Sequence, residues 1–252
     1  MTFDVPAESY DAFMGRYSRR IAPQLADLAG IDEGQRAIDV GCGPGALTAE
    51  LVRRLGPSAV AAVDPSPPFV KAVLARYPGV DVRLAPAENL PFPAAFFAAA
   101  IAQLVVHFMS DPVAGLTEMR RVTRPEGVVA ACVWDHAGGL APLSAFWRAA
   151  RELDATADDE SQLAGVREGH LAELMQAAGL HSIEATVLTA DHVHATFDEW
   201  WEPFTMGVGP AGAYVTSRDE AARVALREAC RRLLGGGPFT IEARAWAAHG
   251  RA

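Results

Sequence analysis

Short apolar runs alternate with amphipathic segments between residues 35 and 134. The runs at 36–40, 59–63, 81–85, 99–105 and 128–134 are nearly continuous in apolar character, as is typical of parallel strands buried on both faces. The segments between them carry apolar residues at helical spacing, as in Leu47, Leu51, Val52 and Leu55. Strands that alternate with helices predict an α/β fold, a doubly wound and mostly parallel sheet.

The regular alternation of apolar runs and amphipathic segments ends at residue 134. Residues 142–154 and about 168–178 have helical patterns, the second ending at Gly179, whereas 182–195 and 238–248 read as the last two strands. About forty residues lie between those two strands, which is too long and too apolar for a plain connection. We therefore expect a helical cap over the sheet edge, at about 140–180 and 196–236.

Composition narrows the class of partner. The chain has 22 basic and 31 acidic residues and a formal charge of −9, which disfavours binding to a phosphate backbone. Three cysteines without a C-x-x-C pair fit a reducing compartment and give no zinc signature. The N-terminus lacks a signal-peptide pattern, and no apolar stretch approaches membrane-spanning length. We expect a cytoplasmic protein with a small-molecule partner, no nucleic acid and no membrane; the oligomeric state stays open.

The first predicted strand runs into a glycine-rich loop, IDVGCGPG at 38–45. Such a loop before a helix lets backbone amides approach a ligand, although a tight turn needs glycines too. Asp64 ends the second predicted strand, where a carboxylate can accept hydrogen bonds from ribose hydroxyls. This spacing suits NAD or S-adenosylmethionine. Asp39, two residues before Gly41, favours the second, because its charge would crowd a pyrophosphate but can receive an ammonium group.

Five segments in order resemble the motifs of the class I S-adenosylmethionine-dependent methyltransferases, and in particular the subfamily (methyltransferase type 11) related to the ubiquinone and menaquinone biosynthesis enzymes. They are IDVGCGPG, VDPS at 63–66, APAENLPF at 85–92, AQLVVHF at 102–108 and RVTRPEG at 121–127. The resemblance implies a Rossmann-like methyltransferase fold with a seven-stranded sheet. It also implies S-adenosyl-L-methionine as cofactor and S-adenosyl-L-homocysteine as product.

The resemblance assigns cofactor-binding roles first on the methionine side. Asp39 would hold the methionine ammonium, and Gly41, Cys42 and Gly43 would give the methionine moiety close backbone approach. Gln103, leaving the fourth strand, would lie near the methionine carboxylate or sulfonium.

The nucleoside side follows in the same way. Asp64 would bind both ribose hydroxyls, Pro65 or Ser66 would border the adenine, and the Ala87 amide with the Glu88 region would read the adenine edge. The segment YDAFMGRYS at 10–18 resembles an aromatic helix that closes over the cofactor, with Tyr10, Phe13 and Tyr17 as lid residues. We thus expect three regions: a lid at 1–30, a cofactor-binding core at 31–139 and a sheet-completing part with the cap at 140–252.

Three positions depart from the family pattern. Pro86 stands where an Asp often contacts the adenine amino group, so that contact must be missing or replaced. Ala98 replaces the Asp of a usual Phe-Asp pair, with an expected structural cost. Glu126 replaces the first glycine of a Pro-Gly-Gly turn, which requires either an ordinary backbone conformation or strain there.

Histidines are the candidates for acid–base chemistry. His107 and His136 follow the fourth and fifth strands, at the sheet edge where open α/β folds bind ligands, and each is a candidate general base for an acceptor hydroxyl. A structural role is the alternative for both, and Asp135 at the same rim could cap a turn. His192 and His194 share a strand face, but without an evident third ligand they read as a surface pair, so we expect no metal.

The sequence predicts transfer of a methyl group to an oxygen, nitrogen or carbon of a small, largely apolar molecule. Two alternatives stay open: the bound cofactor serves as a scaffold for another reaction such as cyclisation, or the chain is a non-catalytic regulatory protein. An NAD-dependent oxidoreductase is disfavoured by Asp39 and APAENLPF. Trp200, Trp201 and Phe204 could either wall the substrate pocket or pack inside the cap.

Overall fold

The computed structural model describes residues 5–252. The chain begins with helix α1 (Ala7–Tyr10), a π-helical turn (Asp11–Gly15) and helix α2 (Arg16–Leu28). The first half of the sheet follows as β1 (Ala37–Val40), α3 (Ala46–Leu55), a 3₁₀ turn (Pro57–Ala59), β2 (Val60–Asp64), α4 (Pro67–Arg76) and β3 (Asp81–Leu84).

The second half of the chain completes the sheet and adds the helices of the predicted cap. The elements from the fourth to the sixth strand are β4 (Phe97–Gln103), a 3₁₀ turn (Val106–Phe108), α5 (Pro112–Val122), β5 (Thr123–Trp134), α6 (Ser144–Leu153), a 3₁₀ turn (Glu160–Gln162), α7 (His170–Ala177) and β6 (His181–Thr189). The remainder is β7 (His192–His194), α8 (Phe197–Trp201), a 3₁₀ segment (Glu202–Met206), α9 (Gly209–Thr216), α10 (Glu220–Leu234), β8 (Phe239–Ile241) and β9 (Arg244–Arg251).

Seven strands form one sheet in the order β3-β2-β1-β4-β5-β9-β6. Strands β1 to β5 are parallel to one another, and β9 is antiparallel to both β5 and β6. The predicted doubly wound, mostly parallel seven-stranded sheet is therefore confirmed. The strand order reverses between β1 and β4, so the loops after these strands diverge and leave a crevice at their carboxyl ends.

The two predicted C-terminal strands were each expected to be continuous, which is wrong. Residues 182–195 break into β6 and β7, and residues 238–248 contain β8 and the start of β9. The chain leaves the main sheet at the same level in both segments, and β7 pairs with β8 in a separate two-stranded ribbon. The alternation of apolar and polar residues looks the same in one long strand as in two short ones. Side-chain periodicity does not show where the chain leaves one sheet and joins another.

Three local features of the backbone bear on positions that the sequence singled out. Gly179 ends α7 with φ +81°, as expected of a glycine after a helix C-terminus. Ser66 is the N-cap residue of α4 but makes no side-chain capping bond, and Pro67 occupies the first turn. Glu126 has φ +62°, so the strained alternative holds at this turn. Its carbonyl accepts a hydrogen bond from Arg251 Nη1 at 3.0 Å.

The N-terminal helices and the cap share one hydrophobic core with one face of the sheet. Ile21 and Leu25 of α2 are fully buried in it. Phe146 of α6 stacks on Phe204 with ring centroids 4.7 Å apart, and Trp200 lies 4.7 Å from Phe204. Of the two roles considered for Trp200, Trp201 and Phe204, the structure therefore supports packing inside the cap. Among residues 5–252, no helix combines the length and the apolar character that a membrane crossing requires.

Candidate functional site

The glycine-rich loop lies between β1 and α3, and its backbone is left-handed at all three glycines, with φ +72°, +51° and +98° at Gly41, Gly43 and Gly45. The amides of Gly41 and Cys42 donate to the Val63 carbonyl at 2.8 and 2.9 Å. A Cβ at Gly41 would lie 2.4 Å from Val105 Cγ2, whereas one at Gly43 would meet nothing within 4 Å. Gly41 thus permits a close approach between loops, and Gly43 leaves open space for a ligand.

Asp64 organises the same loop from the end of β2. Its Oδ2 accepts from the Gly43 amide and its Oδ1 from the Ser66 amide, both at 2.8 Å. Burial raises the pKa of Asp64 to about 6, although the two amide hydrogen bonds favour the charged form. Each carboxylate oxygen has a second lone pair, so the group can still accept hydrogen bonds from two hydroxyls of a ligand.

Asp39 is fully buried in the middle of this arrangement. The Thr48 hydroxyl of α3 donates to Asp39 Oδ2 at 2.6 Å, and Oδ1 has no hydrogen-bond partner. Burial, with a smaller contribution from the Asp64 charge, raises the pKa of Asp39 to about 7 against the lowering effect of the Thr48 hydrogen bond. A buried acceptor atom without a donor costs free energy, and a cationic ligand group would supply the missing donor.

Gln103 ends β4 on the same sheet face as Asp39, because Asp39 is in register with Ile101 and alternate residues share a face. Its Nε2 donates to the Ser18 carbonyl of α2 at 3.0 Å, while its Oε1 is buried without a partner. Gln103 therefore anchors the N-terminal helix and still offers a free acceptor. Two orphaned acceptor oxygens beside a glycine loop fit a ligand that carries a positive charge, such as an amino-acid ammonium or a sulfonium.

A cavity of about 450 Å³ opens in front of this loop, and we call it the cofactor cavity. Among the predicted site residues its lining includes Gly41, Asp64, Pro65, Ser66, Ala87 and Glu88. Phe69 and Met109 supply apolar walls. Glu88 Oε1 accepts from the Ser110 and Asp111 amides at 2.7 and 3.1 Å, so the carboxylate fixes the next loop. The residues present therefore fit a nucleoside with a charged amino-acid tail.

Five predicted cofactor-binding residues do not line this cavity: Asp39, Cys42, Gly43, Gln103 and Tyr17. Cys42 is 6% exposed, and burial holds the pKa of its thiol well above the usual range. The Tyr17 hydroxyl is hydrogen-bonded to His194 Nε2 at 2.8 Å, and its ring packs edge-on against Trp134. Among the three expected lid aromatics, Tyr10 packs edge-on against Phe69, with ring centroids 5.4 Å apart. Tyr10 is thus the lid residue nearest to the cofactor cavity wall.

The two candidate bases, His107 and His136, come together although 28 residues separate them along the chain. Their ring centroids are 5.8 Å apart, and both side chains are buried. Burial lowers the pKa of His136 to about 4, and that of His107 falls well below its usual range for the same reason, with a contribution from His136. Both imidazoles are therefore neutral at pH 7 and can accept a proton. Asp135 at the same rim caps a turn: its Oδ1 accepts from the Gly138 amide, and its Oδ2 pairs with Arg244.

Glu160 joins these histidines, and no sequence signal distinguished it, because it lies in the polar loop ATADDESQ among other acidic residues. Only 4% of the residue is exposed, and its Oε2 accepts from the Trp147 indole N–H at 2.9 Å. Its Oε1 lies 4.0 Å from His136 Nε2. Burial raises the pKa of Glu160 to about 7, while the indole hydrogen bond lowers it.

Three cavities follow one another across this edge of the sheet. Phe108 lines both the cofactor cavity and a small cavity of about 30 Å³, the central cavity, which also contacts His107, Tyr10 and Phe13. His136 and Glu160 line the central cavity and a further cavity of about 440 Å³, the outer cavity. The outer cavity runs along α6 and reaches Arg148 and Arg151. The histidine pair therefore lies between the cofactor cavity and a space large enough for a second small molecule.

The expectation that His192 and His194 form a surface pair is wrong for His194, which is 1% exposed. The ribbon of β7 and β8 is covered here by α2, so that Tyr17 bonds to His194 and Arg16 Nη1 lies 3.1 Å from His194 Nδ1. Glu199 supplies the acidic neighbour that was not evident, 2.9 Å from the same Arg16 nitrogen. These contacts depend on α2 and α8 meeting the ribbon, which the strand pattern does not encode.

Comparison with known proteins agrees with this geometry. Residues 38–131 match the family described as "Methyltransferase domain". The chain is 33% identical to nocamycin O-methyltransferase of Saccharothrix syringae, over 50% of this chain and 48% of that protein. It is 32% identical to malonyl-[acyl-carrier protein] O-methyltransferase of Serratia marcescens, over 58% of this chain and 56% of that protein. The chain thus spans about half the length of each relative.

The fold extends the likeness beyond the matched segment. The structure of a putative type II methyltransferase from Anaeromyxobacter dehalogenans superposes with a TM-score of 0.63, covering 94% of this chain and 97% of that one at 24% identity. At this identity the superposition shows a shared fold. The matched segment contains Asp39, the glycine loop and Asp64. Residues 38–131 therefore match a methyltransferase domain, in a chain that shares the fold of that methyltransferase structure.

Proposed function

We propose that this protein transfers a methyl group from S-adenosylmethionine to an oxygen, nitrogen or carbon atom of a small, largely apolar organic molecule. The observation that carries the proposal is the row of cavities, in which Phe108 lines both the cofactor cavity and the central cavity that the two buried histidines also line. The cofactor supplies a methyl group on a sulfonium, which is already activated toward a nucleophile. The protein has to hold the two reactants in line and exclude water.

In this proposal each cofactor residue acts through the contact that its geometry leaves free. The unpartnered Oδ1 of Asp39 receives the ammonium group, and the second lone pairs of Asp64 receive the ribose hydroxyls.

Gly43 offers space without a side chain, and Ala87 and Glu88 border the adenine. Gln103 Oε1 is a further free acceptor beside the methionine end. Pro86, which stands in place of the Asp that often contacts the adenine amino group, also lines the cavity.

The acceptor enters from the outer cavity in this proposal and reaches the methyl group at the central cavity. Aromatic and apolar side chains of the lid and sheet, including Phe13, Met14 and Trp134, line that passage and exclude water. His107 or His136 takes the acceptor proton if the nucleophile is a hydroxyl, since both are neutral at pH 7. The two relatives described above are named as O-methyltransferases, which favours an oxygen acceptor here.

A product assay tests the proposal against its alternatives. The full chain is incubated with S-adenosylmethionine and a library of small hydroxylated and carboxylated molecules, and release of S-adenosylhomocysteine is measured. We expect release that depends on one class of acceptor. Binding of the cofactor without release for any acceptor favours a scaffold or regulatory role, and calorimetry that detects NAD but not S-adenosylmethionine overturns the proposal.

Cofactor binding should depend on pH through Asp39. Its pKa of about 7 in the free protein falls when an ammonium group pairs with the carboxylate, so binding releases a proton below pH 7. The affinity for S-adenosylmethionine should therefore fall as the pH drops from 7 to 6, approaching about tenfold per pH unit. Above about pH 8 the ligand ammonium itself loses its proton, which gives a maximum between the two.

Calorimetry at pH 6.0, 6.5, 7.0 and 7.5 measures this dependence. Asp39→Asn removes the titrating group while it keeps an oxygen for Thr48, and it should bind the cofactor more weakly at pH 7.5 with a flatter profile. Asp64, with a pKa of about 6, contributes mainly below this range. If the affinity for S-adenosylmethionine depends on pH with the same slope in the wild type and in Asp39→Asn, Asp39 is not the group that binds the ammonium.

A further inference from the structure

Two histidines and a glutamate meet at the central cavity, each from a different loop. One potential ligand atom from each of His107, His136 and Glu160 lies within 4.8 Å of the other two. His107 is in the 3₁₀ turn after β4, His136 follows β5, and Glu160 begins the 3₁₀ turn after α6. The side chains of all three are at most 9% exposed. Three ionisable groups at such depth need partners, and the protein supplies only part of them.

The missing partners are specific atoms. His107 Nδ1 and His136 Nε2 are buried without a hydrogen-bond partner. The Trp147 indole holds Glu160 Oε2 at 2.9 Å, which leaves Oε1 as the oxygen nearest to His136, at 4.0 Å from Nε2. A tryptophan that orients a carboxylate in this way is the kind of outer contact that metal ligands commonly have. These unpartnered nitrogen atoms can therefore each offer a lone pair to an electron-pair acceptor such as a metal ion.

We propose that His107, His136 and Glu160 bind one divalent transition-metal cation of the Zn²⁺ type. Two imidazole nitrogens with one carboxylate oxygen suit Zn²⁺, Co²⁺ or Fe²⁺, whereas Mg²⁺ and Ca²⁺ prefer oxygen ligands. The central cavity, at about 30 Å³, has room for an ion with a water molecule or one ligand oxygen. Three protein ligands leave a coordination position open toward that space.

Binding requires a modest contraction of the cluster. Ligands about 2.0–2.1 Å from a tetrahedral ion lie roughly 3.4 Å apart, so the 4.0 Å separation of His136 Nε2 and Glu160 Oε1 must close by about 0.6 Å on this geometry. His136 and Glu160 lie in connections rather than in sheet strands. The other pairs of ligand atoms lie within 4.8 Å of one another, so each closes by at most about 1.4 Å on the same geometry, which is within the reach of side-chain rotation.

A second cluster in the chain provides an internal contrast. His192, His194 and Glu199 also bring three potential ligand atoms within 4.8 Å of one another. There the guanidinium of Arg16 already lies among them, 3.1 Å from His194 Nδ1 and 2.9 Å from Glu199 Oε1. A resident cation satisfies the carboxylate and repels a metal ion. Among residues 5–252, no Lys or Arg side chain forms a hydrogen bond or an ion pair with His107, His136 or Glu160.

The site deepens the proposed function, and its catalytic consequence rests on that function. A cation in the central cavity lies between the cofactor cavity and the outer cavity, and its open position can take an acceptor oxygen. Coordination lowers the pKa of a bound hydroxyl, so His107 and His136 would serve as ligands rather than as proton acceptors. This arrangement points to an acceptor with a hydroxyl or carboxylate oxygen at the reacting position.

Metal binding is measured on the full chain without any acceptor. The protein is treated with a chelator and titrated with Zn²⁺ by calorimetry and with Co²⁺ by visible absorption. We expect one equivalent of each to bind, with Co²⁺ bands of a four- or five-coordinate nitrogen and oxygen site. His136→Ala and Glu160→Gln should each weaken Zn²⁺ binding by about 10–100-fold or more, and His192→Ala is the matched control that should leave it unchanged.

The outcomes separate this proposal from the proposed function. Absence of stoichiometric binding, binding that survives both His136→Ala and Glu160→Gln, or binding that His192→Ala abolishes overturns the metal site. S-adenosylmethionine titration and circular dichroism of the same variants show whether they fold. If the cofactor binds and Zn²⁺ does not, the metal site fails and the methyltransferase proposal stands. If Zn²⁺ binds and the cofactor does not, the reverse holds.

Discussion

Replacing Asp64 with alanine should weaken S-adenosylmethionine binding by at least about tenfold, and by about a hundredfold if both ribose hydroxyls donate to this carboxylate. A hydrogen bond to a charged group contributes about 1.5–3 kcal/mol, and each 1.4 kcal/mol is a factor of ten in affinity. The variant also frees the Gly43 and Ser66 amides, which Asp64 Oδ2 and Oδ1 hold at 2.8 Å. Both effects act on the same loop, and calorimetry measures their sum.

Asp158→Ala is the matched control, because Asp158 is exposed on a loop away from the cofactor cavity. Its affinity for S-adenosylmethionine should equal that of the wild type. Circular dichroism establishes that Asp64→Ala is folded under the conditions of the titration. A folded Asp64→Ala protein that binds the cofactor with less than a tenfold loss contradicts the assignment of Asp64 as the ribose-binding residue.

Replacing Phe146 with alanine should lower the free energy of unfolding by about 3–5 kcal/mol, the range for a buried Phe→Ala change. Phe146 has no exposed surface and stacks on Phe204 at 4.7 Å, with Trp147 and Tyr214 at its edges. The change removes an aromatic side chain from the core that joins the cap to the sheet and the N-terminal helices. Urea denaturation followed by fluorescence and circular dichroism measures the loss.

Leu153→Ala in the same helix is the control, since Leu153 is 50% exposed, and its effect should stay within about 0.5 kcal/mol. The shared core also predicts a single transition for the wild type, with coincident fluorescence and circular dichroism curves. Two separated transitions, with Phe146→Ala shifting only one of them, would show that the cap unfolds independently of the sheet.

The local sequence determined the sheet and most of the cofactor cavity. Apolar runs buried on both faces identify parallel strands without further information, and the glycine loop and Asp64 each directly follow a strand. The carboxyl ends of neighbouring parallel strands meet at one edge, so Gly41, Asp64 and Ala87 share a cavity once the strand order is known. Even the strain at Glu126 was foreseen as one of two outcomes, because a turn built for glycine imposes a left-handed conformation on its replacement.

Contacts between distant segments were decided by the tertiary structure alone. Glu160 looks like any other acid in its loop, and it becomes notable only because packing of α6 brings it beside His136 and under the Trp147 indole. His194 is buried because α2 crosses the ribbon of β7 and β8. Side-chain periodicity reports burial within one element but not which elements meet, since that depends on chain direction and packing across more than a hundred residues. The edge of the sheet that carries the glycine loop and Asp64 was therefore readable from the sequence, whereas the arrangement around the histidine pair was set by the fold.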